Sequence, residues 1–328
     1  MKSMKKLVLV GLVLLASVMV LVGCKMEAGD VKVYTFPAAV KVLTDYESPN
    51  NTDDTWTYVA FGEWPQSEAK DVEEGSLKLV DGGRGYFKDN YYKDDNDNYY
   101  VKQGGKYYKV EPIVWRVLNK NYSGTGKALL LAEKILIGGI KWDDNRSNYK
   151  ESNIRKWLTG NSGSGEQSDY SGDVGFLQTA FTTSAQNLIA ETSVDNSVVS
   201  TIPNTLTDTQ KQDDWNDGDN PYASETYTTD KIFLLSEQEA TTKGYGFVEY
   251  SDFGKGNTRI RATTEYAYAT GAYQDSTAGY DAWWWLRSPH YGSEKYARYI
   301  NYDGDAYSYY YVTHTNGGVV PALSISLQ

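Results

Sequence analysis

Residues 283–328 read WWWLRSPHYGSEKYARYINYDGDAYSYYYVTHTNGGVVPALSISLQ, and the fold is decided there. Between Tyr291 and Tyr311 stand eight of the chain's 29 tyrosines, and both of its histidines, His290 and His314, lie in the same stretch. The flanks are of another kind. Trp284-Trp285-Leu286-Arg287-Ser288-Pro289 before the block and Val319-Val320-Pro321-Ala322-Leu323 after it read as core. The middle reads as a surface built to touch something, because tyrosine offers a large amphipathic contact area with few rotatable bonds.

Strand periodicity places Tyr307, Tyr309 and Tyr311 on one face and Ser308 and Tyr310 on the other. Gly292, Ala297, Ile300, Gly304, Ala306 and Val312 punctuate the block, so polar-aromatic positions alternate with positions expected to be buried. A tyrosine-rich sheet surface without a ligand is the competing reading. Clustered exposed aromatics more often mark an interaction site.

Outward from this block, the opposite end of the chain carries an export signal. Lys2, Lys5 and Lys6 precede an apolar run from Leu7 to Val22, which ends in Leu21-Val22-Gly23-Cys24. A small residue before cysteine at the end of such a run resembles a bacterial lipobox, in which Cys24 is acylated and becomes the first mature residue. The run is short for a membrane span, which needs about 20 apolar residues. Residues 1–23 are thus read as signal peptide, 24–51 as an N-terminal tether and 52–328 as the folded domain. The expected location is the bacterial envelope at the outer-membrane surface, with the membrane reached through the lipid on Cys24.

Cys24 is the only cysteine, so the exported domain has no disulfide and must be held by its core. The formal charge is −11, and removal of the lysine-bearing leader makes the remainder more acidic still. Nucleic acid is therefore not expected as a partner, since it needs a basic patch.

Between the ends, strands are expected at 56–62, closed by Pro65, and at 99–101 and 107–110 around a Gly104-Gly105 turn. Further strands are expected at 113–118, 128–132 and 232–235. Helices are expected at 152–158 behind a Ser152 cap, at 176–190, and from Ser236 with a capping box to Glu239. Residues 193–229 and 245–282 read mostly as loop, and 319–325 as an internal strand. The acidic run Asp94–Asn98 lacks the glycine and distal glutamate of a calcium loop and is read as a solvated turn, with no metal.

Four segments carry a resemblance: 112–118, 152–158, 230–236, and Trp284–Pro289 paired with Gly318–Leu323. Together with the lipobox, they resemble the variable lipoproteins of diversity-generating retroelements, built on a C-type lectin-like fold of the formylglycine-generating-enzyme type. The resemblance implies an α+β domain of short twisted strands, two or three helices and long loops, with a variable region at about 284–328. The chain departs from the family at His290, usually glycine, and at Val320, usually arginine, which implies the loss of a buried ion pair.

Such retroelements substitute at template adenines, so an asparagine codon can become Tyr, Asp, His, Ser, Arg or Gly. His290, Tyr291, Ser293, Tyr296, Arg298, Tyr299, Asn301, Tyr302, Asp305, Tyr307, Ser308, Tyr309, Tyr310, His314 and Asn316 belong to that set and are the candidate ligand-binding residues. Glu294 and Lys295 do not belong to it. The expected function is binding of variable ligands, protein rather than glycan, by a monomer without catalytic residues or cofactor. An invariant adhesin or structural envelope lipoprotein is the alternative. A glycan-acting enzyme is a weaker one, because the two histidines both lie in the tyrosine block and no carboxylate pair is marked. Trp215-Asn216-Asp217 matches a tripeptide of calcium-dependent lectins, but it lacks their companion motifs and is read as coincidence.

Overall fold

Aromatic and β-branched residues crowd the stretch from Trp56 to Ala132, and they build a long antiparallel ladder. The computed structural model describes residues 35–50, 56–73, 75–160, 174–204, 221–223, 227–248, 258–275 and 281–328, apart from the side chain of Ser308. These residues belong to one compact unit, Tyr34–Gln328. Its first strands are β1 (Lys41–Leu43), β2 (Tyr58–Glu68), β3 (Lys78–Leu79), β4 (Tyr91–Lys93), β5 (Tyr99–Gln103), β6 (Lys106–Asn119) and β7 (Lys127–Ala132).

β6 organises the sheet through its length. One edge pairs with β2 from Arg116 to Tyr108, and the other is shared between β5, on residues 106–109, and β7, on residues 115–119. The β5–β6 hairpin turns on Gly104 (φ 56°) and Gly105 (φ 83°), the two successive positive angles that a two-residue hairpin of the right twist needs. Residues 107–110 and 113–118, expected as separate strands, are thus one. Pro65 does not end β2 either. It sits beside a register shift, on an edge that β1 leaves unpaired, where its missing N–H costs no ladder bond.

The boundary expected near residue 52 also moves. β1 pairs with β2, and Val40 lies in the core. Ser48 Oγ and Asn50 Nδ2 donate to Glu133 Oε1 at 2.6 and 2.7 Å. The turn around Pro49 reads as linker by composition, yet it satisfies a buried carboxylate. Residues 35–50 are therefore part of the domain rather than tether.

Among the described residues the α-helices are short: α1 (Asn153–Thr159), α2 (Phe176–Ala180), α3 (Thr183–Gln186), α4 (Glu237–Ala240) and α5 (Glu265–Ala269). Ser152 caps α1, and Ser236 with Glu239 forms the capping box of α4, as expected from their spacing. The helix expected at 176–190 breaks into α2 and α3. Phe181 leaves helical geometry (φ −127°, ψ 136°) to pack on Phe61 at 5.0 Å, and Thr182 then caps a new helix.

Segments expected as loop also carry structure: β8 (Thr192–Val194) pairs with β9 (Thr228–Asp230), and β11 (Arg261–Ala262) with β12 (Asp281–Ala282). β10 (Ile232–Phe233) and β16 (Ala322–Ser326) complete the main sheet, in the order β10-β16-β7-β6-β5-β4-β3 with β2 on β6 and β1 on β2. The C-terminal strand thus runs inside the sheet, as its apolar sequence requires. A separate meander, β13 (Trp284–Pro289), β14 (Tyr296–Ile300) and β15 (Ala306–Tyr311), carries the tyrosine block. The architecture is α+β. No helix among the described residues is long and apolar enough to cross a membrane.

Candidate functional site

The inner side of the meander is fixed before its outer side can matter. Trp284 and Trp285 are fully buried, and Trp284 Nε1 donates to Arg259 O at 3.1 Å. Trp285 N bonds Gly318 O at 3.0 Å, and Arg287 N bonds Leu235 O at 2.9 Å, so β13 is stitched to the chain on both sides. Two buried ion pairs root the meander in α4: Arg287 of β13 with Glu239 at 2.5 Å and Arg298 of β14 with Glu237 at 2.6 Å. Arg287 also donates to the carbonyls of Leu234 and Asp195, and Tyr122 donates to Glu239, so this pair is closely satisfied.

At the far end, Arg259 Nε donates to Gly304 O at 2.6 Å and fixes the β14–β15 turn. Gly304 (φ 83°) is required there, because the turn closes with Gly304 N on Asn301 O at 2.9 Å in a left-handed conformation. Val320, where the resemblance expects an arginine, is fully buried among apolar neighbours of the core.

The outward side chains form a nearly unbroken series of ring contacts. His290 lies 5.8 Å from Tyr296 and 6.2 Å from Tyr291, and Tyr296 lies 5.8 Å from Tyr309 and 4.6 Å from Tyr311. Tyr311 continues to His314 at 5.7 Å, His314 to Tyr310 at 4.6 Å, Tyr310 to Tyr299 at 5.3 Å, and Tyr299 stacks on Tyr307 at 5.5 Å. Cross-strand register makes two of these contacts: Tyr296 faces Tyr311 and Tyr299 faces Tyr307, with an irregularity between that brings Tyr310 beside Tyr299. Trp283 supports the series from beneath, 4.5 Å from Tyr310 and 5.3 Å from Tyr299. Offset and edge-on ring pairs of this kind add about 0.5–1.5 kcal/mol each beyond their burial.

Tyr307, Tyr309 and Tyr311 are 41%, 60% and 48% exposed. His290, Tyr291, Ser293, Tyr296, Tyr299, Asn301, Tyr302, Asp305, Tyr310, His314 and Asn316 are half-buried. Tyr302 stands off the series and lies 6.4 Å from Tyr273 instead. Asn316 holds that neighbour by its carbonyl, which accepts from Tyr273 N at 2.9 Å. Ser308 has no described side chain.

Arg298 requires a correction. It is 1% exposed, paired with Glu237, and donates to Pro289 O at 3.1 Å, so it belongs to the scaffold and not to the outer surface. The codon filter admitted it because the filter is blind to which way a strand residue points. Tyr311, left out of the candidate set, lies within the ring series; the alternation with Tyr307 and Tyr309 was its signal. Tyr273 has no signal in the sequence, since the contact with Tyr302 spans elements far apart in the chain.

Three hydroxyls of this face, those of Tyr296, Tyr299 and Tyr307, are raised above the usual phenol range. Burial pushes the Tyr299 hydroxyl upward, followed by the neighbouring tyrosines and Asp303. Tyr307 rises through burial and then through Asp303 and Asp305, and Tyr296 through its hydrogen bond with Tyr311. Burial raises Asp305, with Asp303 adding and Arg259 opposing. Asp281 goes up to about 6 through burial and its neighbour Asp275. The face therefore offers phenol donors, ring faces and an acidic edge.

Elsewhere, a cleft of about 580 Å³ opens between Lys41, Gln66, Glu111 and Glu265, and one of about 540 Å³ lies over the Arg287–Glu239 pair. Among the described residues, no three His, Cys, Asp or Glu side chains gather as a metal-binding group. Asp94 Oδ1 accepts from the backbone of Asn96 and Asn98 at 2.8 and 2.9 Å, which closes that acidic turn on itself. Cys24 and Trp215-Asn216-Asp217 lie outside the described residues.

Fold and site together define an α+β domain that presents an aromatic face on a three-stranded meander rooted in buried tryptophans and ion pairs. The chain belongs to the family described as Domain of unknown function (DUF6273), whose model matches residues 125–327 and so includes the whole meander and the C-terminal strand. No curated protein and no solved structure matches it.

Proposed function

We propose that this chain is a ligand-binding surface lipoprotein whose binding site is the aromatic face of the meander, diversified in sequence on a constant scaffold. The observation that carries the reading is the division of labour within residues 283–328. Rings from His290 to His314 gather outward, while Trp284, Trp285, Arg287 and Arg298 are buried beneath them. A position can accept Tyr, Asp, His or Ser in turn only if it is not buried, because burying a polar replacement without partners costs several kcal/mol. Rigid aromatic anchors at the centre of a patch are also where binding energy concentrates, at about 2 kcal/mol or more each.

On this reading the chain is a counterpart of the Treponema variable protein, its fold of the C-type lectin-like, formylglycine-generating-enzyme type. It is displayed as a monomer at the outer-membrane surface by the lipid on Cys24, and its ligand is a protein rather than a glycan. Sequencing the locus across isolates is the direct test, together with a search beside it for a reverse transcriptase and an adenine-rich near-copy of the 284–328 coding segment. Changes are expected at the outward candidates and not at Glu294, Lys295, Arg298, Ile300, Gly304, Val312 or Pro321. Variation spread evenly over the region, or none across many isolates, overturns the reading and leaves an invariant adhesin.

The anchor has its own test. Cys24→Ala is expected to release the protein from the membrane fraction, since stable anchoring needs more than one acyl chain and the acylated cysteine supplies them. Retention of the unprocessed variant in membranes would assign residues 7–22 to a spanning anchor instead.

A further inference from the structure

The aromatic face has one chemically distinct end. Tyr299 and Tyr307 stack there at 5.5 Å, and Asp303 and Asp305 flank them from the β14–β15 turn. Asp281 extends the same acidic edge by way of Asp275 and Tyr273, whose ring lies 6.4 Å from Tyr302. Three independent observations bear on what could dock at this end. First, the only arginine of the tyrosine block, Arg298, is withdrawn into the core by Glu237, so its charge does not reach the face. Second, no lysine or arginine among the described residues forms an ion pair with Asp281, Asp303 or Asp305; the cation that acts on Asp305 is Arg259, itself fully buried and bound to Gly304 O. Third, Lys295 and Arg146, both exposed, stand with Glu294 just before β14, at the opposite end of that strand from Asp303 and Asp305, and Glu294 lies 3.9 Å from Arg146.

Stacked phenol faces bordered by carboxylates that have no ion-pair partner among the described residues have a complement in chemistry. A guanidinium or ammonium group gains ring-face attraction and charge pairing at once. An anionic ligand would instead meet repulsion from the carboxylates. Resting on the reading of this face as the binding site, we propose that the partner is a protein segment rich in arginine or lysine, with a cationic side chain seated between Tyr299, Tyr307 and the Asp303–Asp305 turn. The centre of the face, around Tyr296, Tyr309 and Tyr311, then takes the apolar part of the same segment.

The test pans a random dodecapeptide display library against the full chain in detergent. Recovered peptides are measured against the unaltered protein, against Tyr307→Ala/Tyr309→Ala, and against Asp303→Asn/Asp305→Asn, each variant checked for an unchanged melting temperature. The expected peptides are enriched in arginine or lysine, and weaken about ten-fold with the double asparagine variant, more so at low salt. The tyrosine variant should weaken them by at least as much. Peptides that are neutral or acidic but still need Tyr307 and Tyr309 would overturn the cationic partner and leave the binding face standing. Cation-rich peptides indifferent to Asp303 and Asp305 would overturn it equally. Recovery of no binder, or of binders indifferent to the tyrosines, would overturn the face itself.

Discussion

Arg298→Met is expected to cost the fold about 3–5 kcal/mol, the largest loss available from any single residue within the tyrosine block. The arginine is buried, donates to Glu237 Oε2 at 2.6 Å and to Pro289 O at 3.1 Å, and ties β14 to α4. Methionine matches much of its length, so the loss comes from the carboxylate left behind. Glu237 is fully buried, its Oε1 has no hydrogen-bond partner, and burial already works against its charged form while Arg298 and Arg259 favour it. Adding Glu237→Leu should recover most of the stability, since a buried ion pair replaced on both sides by apolar groups is often neutral. Urea denaturation of the three proteins tests this. A loss below about 1 kcal/mol for the single variant, an ordinary surface value, would mean that the pair is hydrated and Arg298 free to turn outward.

Trp285→Ala comes next, at about 3–5 kcal/mol, through a cavity beneath the aromatic face. Its indole is fully buried, packs edge-on against Trp283 at 4.8 Å, and lies so close to Gly317 that a Cβ there would meet it. Trp285→Phe should cost much less, because it keeps most of the volume and removes an indole N–H that has no hydrogen-bond partner. Tyr309→Ala, at 60% exposure, should stay near 0.5 kcal/mol. Tyr310→Ala should fall between, at about 1–2 kcal/mol, because its ring rests 4.5 Å from Trp283. Thermal melts rank the four variants. Equal, large losses at Tyr309 and Trp285 would show that the tyrosine block is core, and the separation of scaffold from surface would fail.

That separation was partly legible in the sequence. Local signals with a single physical cause came through. Ser152 and the Ser236–Glu239 pair mark helix starts, because their side chains must satisfy backbone N–H groups within three residues. Gly104-Gly105 marks a hairpin, because both residues need positive φ. The apolar run at 319–325 could only be an internal strand, and the alternation at 307–311 put Tyr307, Tyr309 and Tyr311 outside.

Tertiary structure alone decided the rest. Whether Arg298 faces a ligand or Glu237 depends on α4, some sixty positions earlier in the chain, and no codon or period carries that information. Ser48 and Asn50 read as linker until Glu133, far along the chain, supplies the buried charge they satisfy. The helix from Phe176 breaks because Phe181 gains more against Phe61 than helix continuation offers through Thr182-Thr183-Ser184. The acidic end of the aromatic face likewise exists only once the strand register sets Tyr299 on Tyr307 and the turn carries Asp303 and Asp305 beside them. Sequence specifies side-chain chemistry and local backbone preference, whereas the sign and partner of a buried charge are set by contacts between residues far apart in the chain.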